Sequence, residues 1–226
     1  MSNSITNTKK TFRSLSNIEC MAIYEPIRQN AKRHFSAAQL LADHGDFANG
    51  ISHLILGTEE LLKSAILLLQ GLNFPVRDIP NYDKVFYQHI PRHNVLMDCY
   101  SVYIFLNGIF KKSQKNQNLQ LVQFFKNVIA SAHESRKQYD WWSNADSLKQ
   151  KGFYCDYNEH GLLDPLAFKE EDWLRAHDNI TMFSTDITEM MVTLTNAEQD
   201  KLTEYQNDFI VSEFNLLLSE SINRKR

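Results

Sequence analysis

ISHLILGTEELLKSAILLLQ, residues 51–70, has the periodicity of a long helix at the centre of a helical fold. Ile51, Leu54, Ile55, Thr58, Leu62, Ala65 and Leu69 recur at three- and four-residue steps and form one continuous stripe, the period of a helix packed against a core. Glu59, Glu60 and Lys63 interrupt the greasiest run, Ile51 to Leu72, so it reads as a buried helix rather than a membrane span. Asp46 stands where an N-cap is needed, and Gly71 follows the last periodic residue, Gln70.

The same pattern continues on both sides. Upstream, Ile27, Ala31, Phe35, Ala38 and Leu41 predict a helix that starts near Pro26 and stops at Gly45. Downstream, Pro75 and Pro80 mark a connector over Leu72–Pro80, and a third helix is expected over roughly Asn94–Lys112. After the polar turn at Lys111–Asn118, a fourth helix carries Leu121, Phe125, Val128, Ala132, Tyr139 and Trp142 to about Lys151, where Gly152 closes it. Phe153–Tyr157 favours extended backbone, and Asn158–Pro165 is turn-like. Two more helices follow, over about Lys169–Leu194 and Asn196–Ser221.

Composition agrees with a helical protein. The 226 residues include only 7 Gly and 5 Pro, too few turn-formers for an all-β chain. With 43% hydrophobic and 23% charged residues, the chain can fill a core. The expectation is an all-α antiparallel helical bundle with additional C-terminal helices and a short extended segment near residues 153–157. Residues 1–16 are expected to be a flexible segment and 17–226 a single domain.

The formal net charge of −3 argues against a broad nucleic-acid surface and leaves room for a small local basic site. Cys20, Cys99 and Cys155 are widely spaced with no CxxC pair, as in a reduced cytosolic protein. Residues 1–13 carry no apolar run of signal-peptide length, which points to a cytoplasmic protein without membrane attachment.

Three stretches carry chemistry. In Thr58–Ser64, Glu59 and Lys63 are four residues apart, the spacing of an exposed helix-stabilising pair. Gly57, Glu60 and Ser64 share a face on which small residues permit close approach by another helix and a carboxylate needs a partner. In HIPRH, residues 89–93, His89 and His93 flank Arg92, the residue types of a general acid or base beside a phosphate clamp. The same segment also reads as a loop leading into a helix with solvated polar groups. Pro91 breaks the helix that an HxxxH zinc pair requires, and no Glu or Cys completes a site, so no metal is expected. In KQKGFYCDY, residues 149–157, Asp156 lies among aromatics and must face water or meet a basic group. No Ser-His-Asp, P-loop or Rossmann pattern is present.

Together AAQLLADHGDFANGISHLILGTEELLKSAILL, HIPRH and SLKQKGFYCDYNEHGLLDP resemble the AbiV family of abortive-infection antiphage proteins, over roughly Ile27–Asp172. The lysine-rich helix end running into GFYCDY is the more specific part. The resemblance implies a HEPN-like bundle, a superfamily in which many members are metal-independent ribonucleases that dimerise to form a composite site. The superfamily signature is an arginine followed by a histidine after four to six residues. Its one match here, Arg28 with His34, lies in the first helix rather than late in the bundle, so Arg92 with His93 is the closer candidate.

The candidate catalytic residues are His93, Arg92 and His89, supported from the second helix by Glu60 and Lys63 in an arrangement that is not the superfamily signature, with no cofactor. The implied partners are a second copy of the chain, a phage-encoded activator and RNA. The implied function is antiphage defence through RNA or translation in the infected cell, by a metal-independent endoribonuclease. The alternative is a non-catalytic helical module that binds a phage or host protein.

Overall fold

The computed structural model describes residues 11–88, 91, 94–95, 141–158, 161–211 and 222–223. Within them the long elements are α1 (Asn17–Asp43), α2 (Phe47–Gly71), the helix over 141–153, here α4, α5 (Glu170–Asn196) and α6 (Gln199–Val211). A four-residue helix, α3 (Lys84–Tyr87), follows a 3-10 turn at Val76–Asp78, and Pro91, Asn94 and Val95 are helical. Strands β1 (Asp156–Asn158) and β2 (Gly161–Leu163) form a small antiparallel hairpin that pairs Tyr157 with Leu162. Among the described residues, no helix is long and apolar enough to cross a membrane.

Helix α1 starts at Asn17, well before the start expected near Pro26. Ser16 caps it: its hydroxyl accepts from the Glu19 amide, and the Glu19 carboxylate accepts from the Ser16 amide at 2.8 Å. This reciprocal box satisfies two orphan donors of the first turn. Pro26 lies inside the helix, where it removes one backbone hydrogen bond. Both Pro26 and Ala22, whose carbonyl would have received it, are on the exposed side. The end of the polar N-terminal stretch is anchored, because Phe12 stacks on the buried Phe86 at 4.2 Å between ring centroids.

Helix α2 follows the sequence reading closely. Asp46 caps it through the Asn49 amide, and it ends at Gly71. Its central position is plain from burial: between Ala48 and Leu68 only Asn49, His53, Leu56, Glu60 and Lys63 are less than fully buried. Antiparallel packing against α1 is close because small residues line the contact. A Cβ at Gly57 would lie 2.6 Å from the Phe35 ring, and one at Gly50 would meet the Ala38 carbonyl and Trp173 at 3.2 Å. Ser64 donates to the Tyr24 carbonyl at 2.8 Å. The small-residue face of Gly57 and Ser64 is thus filled by α1 of the same chain.

Helix α5 covers another side of α2 with Trp173, Ala176, Ile180, Phe183, Ile187, Met191 and Leu194, all buried at helical spacing. Trp142 of α4 is fully buried 5.6 Å from the Phe183 ring, the core position that its apolar stripe predicts. Phe153, expected to be extended, still belongs to α4, and the strand begins at Asp156.

Where α4 crosses α2, a Cβ at Gly152 would lie 2.5 Å from the Ala48 carbonyl oxygen, which is backbone and cannot turn aside. Gly152→Ala should therefore lower stability by about 1–3 kcal/mol in urea unfolding, through overpacking that outweighs alanine's better helix propensity. Unchanged or raised stability would contradict this contact.

Candidate functional site

A helix as buried as α2 cannot carry ionised side chains unless each finds a partner. Glu59 is 1% exposed, and its carboxylate accepts from the Lys149 ammonium at 2.7 Å. Lys149 is 3% exposed and also lies 3.0 Å from Asp146, one turn earlier on α4. Its carbonyl accepts from Ser52 at 3.0 Å, two turns of α2 before Glu59, so the backbone and the ammonium of one residue hold α4 to α2 at two points. The exposed Glu59–Lys63 pair expected from spacing does not form. Glu59 points inward, and Lys63 bonds to Glu60 instead.

That second pair lies on the half-buried stripe of α2. Glu60 also accepts from Asn30 of α1 at 3.3 Å. Two turns away along the same stripe, His53 meets His34 of α1, with their Nδ1 atoms 3.0 Å apart. Phe153, at the end of α4, packs edge-on against His53 at 5.8 Å between centroids. The seam between α1 and α2 thus holds a row of polar groups, namely His53, His34, Asn30, Glu60 and Lys63, bordered by an aromatic ring.

Burial pushes the His34 imidazole below its usual value, and the neighbouring His53 pushes it the same way, while Glu60 and Glu59 pull it up. Burial also lowers His53, against an opposing pull from Asp46. Both rings are consequently disposed to be neutral near pH 7, one donating its Nδ1–H to the other.

Of the residues singled out from sequence, Glu60 and Lys63 are in direct contact on the seam. His89, Arg92 and His93 lie outside the described residues. Arg28 and His34, the pair with superfamily spacing, do not act together. Arg28 is held by Glu25 through two hydrogen bonds of 2.7 and 2.9 Å, whereas His34 turns to α2. Sequence reasoning considered His34 only as the partner of Arg28 and did not single out His53 or Asn30. Their signal was present only on α2, where His53 falls seven residues before Glu60 on one face. Among the described residues, no group of three or more His, Cys, Asp or Glu is placed to hold a metal ion. Cys20 is buried and Cys155 exposed, both as free thiols.

Among the described residues the core is helical, with one hairpin at its edge, an all-α bundle that the family match assigns to the HEPN-like class. Within that class the chain belongs to the AbiV abortive-infection family: the family HEPN_AbiV, described as AbiV, matches it over residues 19–181. No curated protein and no solved structure matches it.

Two measurements test the site's energetics. Glu59→Gln or Lys149→Met leaves a buried charge without its main partner and should cost about 3–5 kcal/mol, whereas Glu59→Leu with Lys149→Met should recover most of that loss. Equal stability of the single variants and wild type would contradict a buried ion pair. For the histidines, the unfolded chain protonates near 6.5 and the folded chain at lower pH. Stability is therefore full above about pH 6.5 and falls as the pH drops below it. In urea unfolding at about pH 7.5 and 5.5, the double variant His34→Gln/His53→Gln should lose part of this dependence. A dependence identical to wild type would assign it to other groups.

Proposed function

We propose that this protein is an abortive-infection effector that acts on RNA in the infected cell as a metal-independent endoribonuclease. Family membership supports the defence role, and one structural observation supports the site. On a helix buried nearly all round, the incompletely buried stripe carries a carboxylate and an ammonium at the mouth of the α1–α2 seam. Maintaining these charges there costs stability that an apolar stripe would not.

In this reading Lys63 balances the phosphodiester charge, with Glu60 and Asn30 fixing its position. Arg92 adds a second cation, and His89 and His93 move protons to and from the ribose 2′-hydroxyl and the leaving oxygen. The active form is a homodimer released by a phage-encoded activator. Because Gly57 and Ser64 are packed within the chain, the dimer contact must use another surface.

A non-catalytic module that binds a phage or host protein remains the second reading, and one observation favours it. Tyr154, Tyr157, Leu162 and Leu166 are all exposed on or beside the hairpin. Large apolar side chains grouped on a surface mark interaction sites.

RNA incubated with the purified full-length protein in EDTA, with and without extract from phage-infected cells, separates the two. The catalytic reading expects cleavage by wild type, and a fall of about 10²–10³-fold in His93→Ala and Lys63→Met. Intact RNA under every condition, together with a stoichiometric partner recovered from infected cells and lost on Leu162→Ser, would replace it with the binding reading.

A further inference from the structure

His34 and His53 come from different helices, yet their Nδ1 atoms approach to 3.0 Å, with ring centroids 5.2 Å apart. Two lone-pair-bearing nitrogens this close need something positive between them. A single shared proton is one solution, since one neutral ring donates and the other accepts.

A metal cation is the other solution. Imidazole nitrogens bind first-row transition metals at about 2.0–2.1 Å, so two of them lie about 2.9 Å apart in positions at 90° and about 3.3 Å apart at the tetrahedral angle, and the 3.0 Å already present falls between. The rings are also in the state that ligation requires, because burial disfavours their protonated forms.

The surroundings favour a cation. Glu60 and Glu59 act electrostatically on His34, and Asp46, two turns before His53 on α2, acts on His53; Arg33 of α1 opposes them at His34. Both histidines are only half-buried, so water can reach the remaining coordination positions. Neither ring has a role in the RNA chemistry assigned above to Lys63 and the 89–93 segment.

We propose that His34 and His53 form a divalent transition-metal site that staples α1 to α2 through their two Nδ1 atoms, with water completing the shell. The donor set selects the cation class. Imidazole suits zinc, copper and nickel, whereas magnesium and calcium prefer oxygen ligands. With two protein ligands the site is open and exchangeable, and it responds to metal supply rather than building the fold.

Calorimetric titration of untagged, metal-stripped full-length protein with Zn²⁺ and Ni²⁺ tests this. About one ion per chain is expected at about pH 7.5, with weaker binding at about pH 5.5 where protons compete. Binding should vanish in His34→Gln and in His53→Gln and persist in His44→Gln, which alters a histidine on the exposed end of α1. Cu²⁺-loaded wild type should show a paramagnetic resonance spectrum with nitrogen ligands that both variants lose, and Zn²⁺ should raise the melting temperature of wild type alone. Absence of saturable binding in wild type would leave the shared proton as the whole explanation. Binding retained by both variants would place the metal elsewhere. Either result overturns the site, and neither bears on whether the protein cleaves RNA in EDTA.

Discussion

A carboxylate held almost entirely out of water governs this structure. Glu59 sits in the middle of α2, against which α1, α4 and α5 pack, and the lysine of α2, Lys63, is engaged by Glu60. The partner of Glu59, Lys149, comes from a helix far along the chain, and the pair is stable only if α4 lies across α2 in one register. That register is tight for independent reasons: Ser52 bonds the Lys149 carbonyl at 3.0 Å, and Gly152 leaves no room for a side chain above Ala48. Desolvating the two charges is expensive, so the pair contributes specificity more than net stability, a role best attested where a buried polar contact fixes register.

From that fixed crossing the rest of the seam follows. Once Glu59 is turned inward, the helical period turns Glu60, Lys63 and His53 outward onto the face shared with α1. The small residues Gly50 and Gly57 bring α1 close enough for Asn30 and His34 to reach them. Phe153, the last residue of α4, lands beside His53 for the same reason. One buried pair thereby orders three helices around a single row of polar side chains.

The parts of this arrangement that were legible in the sequence are those with strong local period. Helix α2 and the burial of Trp142 follow from spacing, while the helix's Asp46 cap and an end within one residue of Gln70 follow from residue type. The start of α1 was not legible, because Pro26 is a strong helix-start signal and outweighed the quieter Ser16–Glu19 box. The pairing of Glu59 failed for a deeper reason. Lys63 is the nearest cation along the helix, but the true partner is 90 residues away, and no local rule selects it. The meeting of His34 and His53 depends on the antiparallel register of two helices, which side-chain periodicity does not specify. Likewise, the aromatic run after Gly152 indicated extended backbone without showing that the helix would persist through Phe153 before the hairpin begins.

In the function proposed above, the seam between α1 and α2 carries the defence activity and the hairpin face is secondary. Plating efficiency of phage on cells that carry the gene tests it most directly, using variants shown to fold and accumulate like wild type. Glu60→Gln and Lys63→Met should abolish protection, while Tyr157→Ser and Leu162→Ser should retain it. Protection kept by the seam variants and lost by the hairpin variants would contradict the account.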